Sequence, residues 1–278
     1  MPRVADWQAD PREAWVEQIW RLGFTRVGNI PADRFEAFVA SIGPVSYYAR
    51  QEEAFVPVKI IPGGTDLSMS SFALSPHTDQ SYMTHTHPTL LMLYCFENSV
   101  TGGESTLVDG LRVVEDLRRD EPEHYAVLCG TPVTFAQLDP SVEYFFERTT
   151  PVIETDADGK LLALHCSHKN FLIDLPFDRM GRYYEAYRSL LTRLKSPDYE
   201  HVFRLEPGQC LLVENDRVLH GRRAFDANSG TRHFTSGYVA WDYLAARRAY
   251  PIRLALERRH ARWQQETAVV AGQALAGQ

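Results

Sequence analysis

Cysteine is scarce in this chain and never closely paired. Cys95, Cys129, Cys166 and Cys210 are the only four. With no C-x-x-C spacing, zinc-finger and thioredoxin-like readings are excluded. Three of the four sit in apolar runs, where reduced cysteine packs as a small hydrophobe. A reducing, cytoplasmic compartment is therefore expected. Long apolar runs are also missing. Leu90 to Phe96 is far too short to cross a bilayer, and Met1 to Asp6 lacks the apolar core of a secretory signal. No membrane partner is expected. Positive charge is not in excess: the formal net charge is −7, and no tract interleaves arginine with aromatics, which argues against a nucleic-acid partner. There is no internal repeat, low-complexity tract or linker. A G-x-S-x-G elbow is absent, which sets aside a hydrolase built on Asp216, His165 and a serine. What is present is ordinary for a soluble globular protein. The 278 residues, 44% hydrophobic and 23% charged, suffice for one large domain spanning 1–278.

Periodicity supplies a coarse outline. Asp10-Pro11 opens a helix carrying Trp15, Ile19 and Leu22, closed by Gly23. Phe35, Phe38, Val39 and Ile42 mark a second, from Asp33 to Ile42. Short helices are expected around Val113–Leu117 and Glu121–Gly130, and a long one over Arg179–Leu194. Strands are expected at Phe24–Val27, Val56–Ile61, Leu90–Phe96, Ser105–Asp109, Pro132–Leu138, Val152–Glu154, Leu161–Cys166 and His233–Val239. Val202–Leu205 and Cys210–Glu214 read as a hairpin around Pro207-Gly208. Residues 65–74 read as a loop. The segment after Tyr243 reads as helical and arginine-bearing, and either caps the domain or joins a homodimer. Many short strands with a few outer helices give a mainly β fold with flanking α-helices, in a two-sheet jelly-roll arrangement.

The chemistry gathers at Ser75-Pro76-His77-Thr78-Asp79. Residues two apart on an extended strand share a face, so His77 and Asp79 can grip one ion. Alone, H-x-D also describes a surface pair near a turn. Two histidines and a carboxylate form the facial triad of non-haem Fe(II) oxygenases. The candidate third ligand is His220, in Glu214-Asn215-Asp216-Arg217-Val218-Leu219-His220-Gly221-Arg222. Thr101-Gly-Gly-Glu-Ser-Thr-Leu-Val-Asp109 follows the first pair. Arg232 stands twelve residues after His220 and precedes Gly237-Tyr238-Val239-Ala240-Trp241-Asp242.

Together these four motifs resemble the Fe(II)/2-oxoglutarate dioxygenases of the taurine dioxygenase superfamily, nearest the γ-butyrobetaine hydroxylase and trimethyllysine hydroxylase branch. The resemblance runs from about Trp15 to about Arg248. It implies a double-stranded β-helix core, Fe(II) held by His77, Asp79 and His220, and 2-oxoglutarate and O2 on the remaining positions. The implied reaction releases succinate and CO2 and hydroxylates an unactivated C–H bond. Arg232 is expected to fork onto the far carboxylate of 2-oxoglutarate, which a lysine cannot match. Ser105 is expected to bond the same carboxylate, since Thr106 points to the opposite face. Leu93 either packs along the cosubstrate or is plain core. Asp79 leaves no room for a halide and favours hydroxylation, with desaturation or cyclisation also open.

The substrate contacts depart from that branch. Tyr238 matches one tyrosine of the family's aromatic cage for a quaternary ammonium. Met69 stands where another is expected, Arg50 falls near a third, and Phe55 stands near the cage tryptophan. Gln80 replaces a tyrosine that touches the substrate's acid group, and Leu164-His165-Cys166-Ser167-His168-Lys169 replaces an asparagine-rich run. Arg50, His165 and Lys169 point to an anionic or zwitterionic metabolite. His85 and His87 read as a polar loop, not a second metal site. No cysteine precedes Cys95, so the family's N-terminal zinc module is expected to be missing. Three alternatives stand beside this: a trimethylammonium-type hydroxylase proper, a natural-product or phosphonate-pathway oxygenase, and a metal-binding jelly-roll protein without oxygenase activity.

Overall fold

The computed structural model describes residues 1–46, 54–61, 67–83, 90–139, 144–167 and 170–239. In order these form β1 (Ala5–Asp6), α1 (Arg12–Leu22), β2 (Phe24–Gly28), α2 (Phe35–Ile42), β3 (Val45–Ser46), β4 (Val56–Val58), β5 (Leu74–His77), β6 (Leu90–Asn98) and β7 (Ser105–Asp109). There follow α3 (Gly110–Asp120), α4 (Pro122–Gly130), β8 (Val133–Asp139), β9 (Tyr144–Thr150), β10 (Ile153–Thr155), β11 (Leu161–Leu164) and β12 (Phe171–Leu172). The last are α5 (Phe177–Leu194), β13 (Glu200–Phe203), β14 (Cys210–Glu214), β15 (Val218–Arg222) and β16 (Arg232–Val239). The architecture is mostly strands with some helices. Among the described residues no helix is long and apolar enough to cross a membrane.

Two sheets build the site. One runs β1-β2-β14-β6-β16-β3, with β4 also on β16, and the other runs β13-β7-β15-β5. β6 lies between β14 and β16 and is covered on both faces, which explains its unbroken apolar run. On one face Tyr94 stacks on Phe35 of α2, ring centroids 4.6 Å apart, beside the buried Trp15, Ile19 and Phe38 of the two N-terminal helices. On the other face Leu91 and Cys95 join Leu107, Val213, Val218 and Phe234 in one apolar cluster. Since that cluster draws on both sheets, they share a core. Burying each such side chain contributes about 1.5–3 kcal/mol relative to exposure. α3, α4 and α5 cover a second cluster around Phe135, Leu164, Tyr183 and Leu190.

Two expectations need correction. Val202–Leu205 and Cys210–Glu214 do not pair as a hairpin. β13 pairs with β7, while β14 pairs with β2 and β6. The Pro207-Gly208 turn is anchored to the larger sheet instead, through Gly208 N–H to the Cys95 carbonyl at 2.9 Å and Ile30 N–H to the Gly208 carbonyl at 3.0 Å. It hands the chain from one sheet to the other. The second correction is β9, a strand pairing with β8 along Val133–Asp139 where none was expected. Its run Tyr-Phe-Phe-Glu-Arg-Thr-Thr breaks strict alternation.

Candidate active site

The site begins with strand register. β5 and β15 are antiparallel, and His77 sits opposite His220. Side chains directly opposite in such a pair are close neighbours, and the two imidazole centroids are 4.3 Å apart. The ladder shifts register between His220 and Arg222. Gly221 occupies the shift because a Cβ there would meet the Leu74 carbonyl oxygen at 2.5 Å and Thr106 Oγ1 at 2.8 Å.

β5 ends at His77, and beyond it the backbone is held by bonds to Cys166 and Asn215. Thr78 N–H donates to the Cys166 carbonyl at 2.9 Å, and Cys166 N–H donates to Thr78 Oγ1 at 2.9 Å. Asp79 N–H donates to Asn215 Oδ1 at 2.8 Å, and Asn215 Nδ2 donates to the Asp79 carbonyl at 3.0 Å. Gln80 then turns the chain at φ +56°, a left-handed conformation that a non-glycine residue adopts rarely and often near functional sites.

These constraints aim the Asp79 carboxylate between the two rings. Oδ1 lies 3.4 Å from His77 Nε2, and Oδ2 lies 3.5 Å from His220 Nε2. The Tyr238 hydroxyl donates to Oδ2 at 2.9 Å. One donor atom from each of His77, Asp79 and His220 lies within 4.8 Å of the others. Metal–nitrogen and metal–oxygen bonds of about 2.1 Å at right angles would set neighbouring donors about 3.0 Å apart, so the set fits one ion. Protonation agrees. Burial alone would push the Asp79 carboxyl up, but His220, His77 and the Tyr238 hydroxyl outweigh it and hold the group well below the usual carboxylate range. Burial lowers His220 to about 4, against the pull of Asp79, so its ring is neutral near pH 7 with a lone pair to offer. His77 Nδ1 sits 2.9 Å from the Ser75 carbonyl, a hydrogen bond that leaves Nε2 for a metal. Among the described residues His220 has no such prop: its buried Nδ1 finds no partner there.

These groups open on a cavity of about 340 Å³ that also contains Ser105, Leu93, Arg222 and Arg232. Both arginines are buried, and neither forms an ion pair among the described residues. Burial lowers Arg232 to about 9 and Arg222 to about 10, so both stay charged at neutral pH. They are engaged differently. Arg222 donates to the carbonyls of Ser70 at 2.8 Å and Phe72 at 2.6 Å, holding the segment that supplies the Leu67–Met69 wall. Arg232 lies over the Phe234 ring at 4.0 Å, and its Nε is buried without a partner. Among the described residues its guanidinium makes no hydrogen bond, and it lines the cavity where an anionic ligand could reach it.

Most expected site residues converge here. His77, Asp79, His220, Ser105, Leu93, Arg232, Gln80, Tyr238 and Met69 all line the cavity, whereas Thr106 does not. His165 is a correction. It is 1% exposed, its Nε2 is 3.0 Å from Glu154 Oε2, and it is not among the cavity-lining residues. Its backbone N–H bonds the Val152 carbonyl, which holds it in the core beside Phe135, outside the cavity lining. Phe55 likewise packs on Phe35, centroids 5.1 Å apart, outside the lining. Arg50, His85, His87, His168, Lys169, Trp241 and the segment after Tyr243 lie outside the described residues. Sequence reasoning gave no role to Arg222, Gln137 and Asn170 in the lining, nor to Asn215, which bonds the Asp79 backbone; Ser167, within the run read as a substrate contact, does line the cavity. Only Gln137 left a signal: it continues the inward face of Val133 and Phe135.

Comparison with known proteins agrees with this geometry. The family model described as "Taurine catabolism dioxygenase TauD, TfdA family" matches residues 2–238. Gamma-butyrobetaine dioxygenase of Pseudomonas sp. (strain AK-1) is 40% identical over 237 residues, 84% of this chain and 60% of that protein. Trimethyllysine dioxygenase, mitochondrial, of Gallus gallus is 28% identical over 182 residues, 64% of this chain and 43% of that protein. The chain thus spans only 60% and 43% of the lengths of these relatives. Among solved structures, asparagine oxygenase in complex with Fe(II), 2S,3S-3-hydroxyasparagine and succinate superposes with a TM-score of 0.65 at 18% identity, covering 84% of this chain and 81% of that one. A family match over nearly all the described residues, with a relative at 40% identity, makes the chain a member of the taurine catabolism dioxygenase TauD/TfdA family.

Proposed function

We propose that this protein is an Fe(II)- and 2-oxoglutarate-dependent oxygenase. In this reading it hydroxylates an unactivated C–H bond of a small polar, zwitterionic or anionic metabolite and releases succinate and CO2. The observation that carries the reading is the shared cavity, lined both by the imidazole and carboxylate donor set and by the buried Arg232 guanidinium, which makes no hydrogen bond among the described residues. Membership of the family supports it. The two sheets and their common core support a double-stranded β-helix, and the catalytic unit is read as one domain. Four free cysteines support a reducing, cytoplasmic setting.

His77, Asp79 and His220 would hold the iron, with Tyr238 fixing the carboxylate. Arg232 and Ser105 would hold the far carboxylate of 2-oxoglutarate, and Leu93 would pack along its chain. Iron and 2-oxoglutarate, when bound, supply the oxidation of the C–H bond by O2. Asp79 occupies the position a halide would need, which favours hydroxylation. The apolar wall of Val56, Val58, Leu67 and Leu74 would exclude water from the reacting carbon.

The test is succinate formation by the purified chain with Fe(II), O2 and 2-oxoglutarate over a panel of trimethylammonium compounds, amino acids and phosphonates. Substrate-stimulated succinate with a product one oxygen heavier is expected. An intact triad that yields no succinate on any panel member would reject the reading. A second reading, hydroxylation of γ-butyrobetaine itself, is favoured by the 40% identity to the Pseudomonas enzyme. It predicts that γ-butyrobetaine gives the highest kcat/KM of the panel.

A further inference from the structure

His77 and Asp79 share a face only while the backbone between them stays extended. Strand pairing does not secure that, since β5 stops at His77. Cys166 holds the intervening Thr78, and the Asn215 carboxamide holds Asp79 itself. It accepts from Asp79 N–H at 2.8 Å and donates to the Asp79 carbonyl at 3.0 Å, the two bonds a neighbouring strand would have made. Asn215 is itself 0% exposed. It sits in the turn Glu214–Arg217, closed by Arg217 N–H to the Glu214 carbonyl at 3.1 Å, directly before the strand that carries His220. One side chain therefore ties the near pair of donors to the element that bears the distant one.

This tie matters more here because His220 lacks a prop of its own. Its Nδ1 is buried without an acceptor among the described residues, so its position relative to Asp79 depends there on the backbone and ring packing. The β5–β15 ladder fixes His77 against His220. Among the hydrogen bonds described, only Asn215 fixes the Asp79 backbone against the segment leading into β15.

We propose that Asn215 is a positioning residue for the metal site: it holds Asp79 at bonding distance from an ion already gripped by His77 and His220. The proposal rests on the reading of these three residues as metal ligands. Deleting such an outer partner typically costs about ten- to a hundredfold in metal affinity.

Its test is equilibrium Co(II) binding by the metal-free full chain, followed through the visible absorption of the bound ion and by competition with a chelator. Asn215→Ser and Asn215→Asp are compared with wild type. Asn98→Ala is the control, because it removes a similar buried carboxamide bond, Asn98 Nδ2 to the Leu205 carbonyl at 2.9 Å, outside the cavity lining. Circular dichroism and thermal melts establish that each variant is folded. The expected result is a tenfold or greater loss of Co(II) affinity in Asn215→Ser, with a changed visible spectrum. Asn215→Asp keeps the acceptor for Asp79 N–H and should fall between Asn215→Ser and wild type. Asn98→Ala should melt earlier while binding Co(II) as wild type does. If wild type binds Co(II) and Asn215→Ser binds it equally well with the same spectrum, Asn215 is merely structural and the proposal is wrong. If Asn98→Ala loses as much affinity as Asn215→Ser, the effect is one of general stability and the proposal is again wrong. If wild type itself fails to bind Co(II), the triad reading falls first and takes this one with it.

Discussion

The Tyr238 hydroxyl donates to Asp79 Oδ2 at 2.9 Å, the same oxygen that faces His220 Nε2 at 3.5 Å. The polar end of Tyr238, a residue that the sequence matches by position to the family's aromatic cage, is thus bound to a candidate metal ligand. Hydrogen bonds to charged groups contribute about 1.5–3 kcal/mol. Tyr238→Phe keeps the ring and removes only the hydroxyl, so it should weaken Fe(II) or Co(II) binding about tenfold while the aromatic surface stays. Calorimetric titration of the metal-free protein checks this, and an unchanged affinity would reduce Tyr238 to a wall of the cavity.

Arg232 and Arg222 are both buried cations, but among the described residues Arg222 is bonded to backbone carbonyls and Arg232 makes no hydrogen bond. Arg232→Lys keeps the charge and loses the planar, two-pronged geometry. It should raise the KM for 2-oxoglutarate at least about tenfold, equivalent to about 1.4 kcal/mol, with kcat at saturating cosubstrate much less affected. Arg222→Lys should act differently. It frees the carbonyls of Ser70 and Phe72, so melting temperature should drop more than cosubstrate affinity. Steady-state succinate assays and thermal melts on both variants separate these roles. Equal effects on the 2-oxoglutarate KM would overturn the assignment.

Glu214 sets a pH dependence of stability. Burial pushes its carboxyl up to about 7, with Asp216 and Asp109 adding to the rise and Arg217 and Lys160 opposing it. A carboxyl with a raised folded pKa favours the native state below its unfolded value. That contribution is lost as pH climbs from about 4.5 through 7. After allowance for partial exposure, the native state gives up about 1–3 kcal/mol by pH 8. Glu214→Gln removes the ionisation, so it should raise urea-unfolding stability by that amount at pH 8. The gain should shrink to a few tenths of a kcal/mol near pH 4.5. A gain independent of pH would show that packing, not charge, is responsible.

Much of the site was legible because its residues obey period two. His77 and Asp79 share a face, and Ser105 but not Thr106 enters the cavity, as alternation along a strand requires. β6 was legible from continuous apolarity. The misreadings arose where local pattern and tertiary partner disagree. Val202–Leu205 and Cys210–Glu214 have hairpin spacing, but each finds a better partner in a different sheet. His165 has the residue type of a substrate contact, yet the Glu154 carboxylate holds it in the core. Asn215 was illegible for a plainer reason. A side chain that bonds the backbone of a residue 136 positions away leaves no period, cap or motif in the sequence.

Gln137 reaches the cavity from β8, in a three-stranded sheet with β9 and β12 that contains none of the iron-binding or cosubstrate-binding candidates. Its carboxamide and that of Asn170 are bonded to each other. This polar part of the cavity wall therefore belongs to a different hydrogen-bonded unit from the strands that carry His77, His220, Ser105 and Arg232. Substitutions at Gln137 can redraw that wall while leaving those strands as they are.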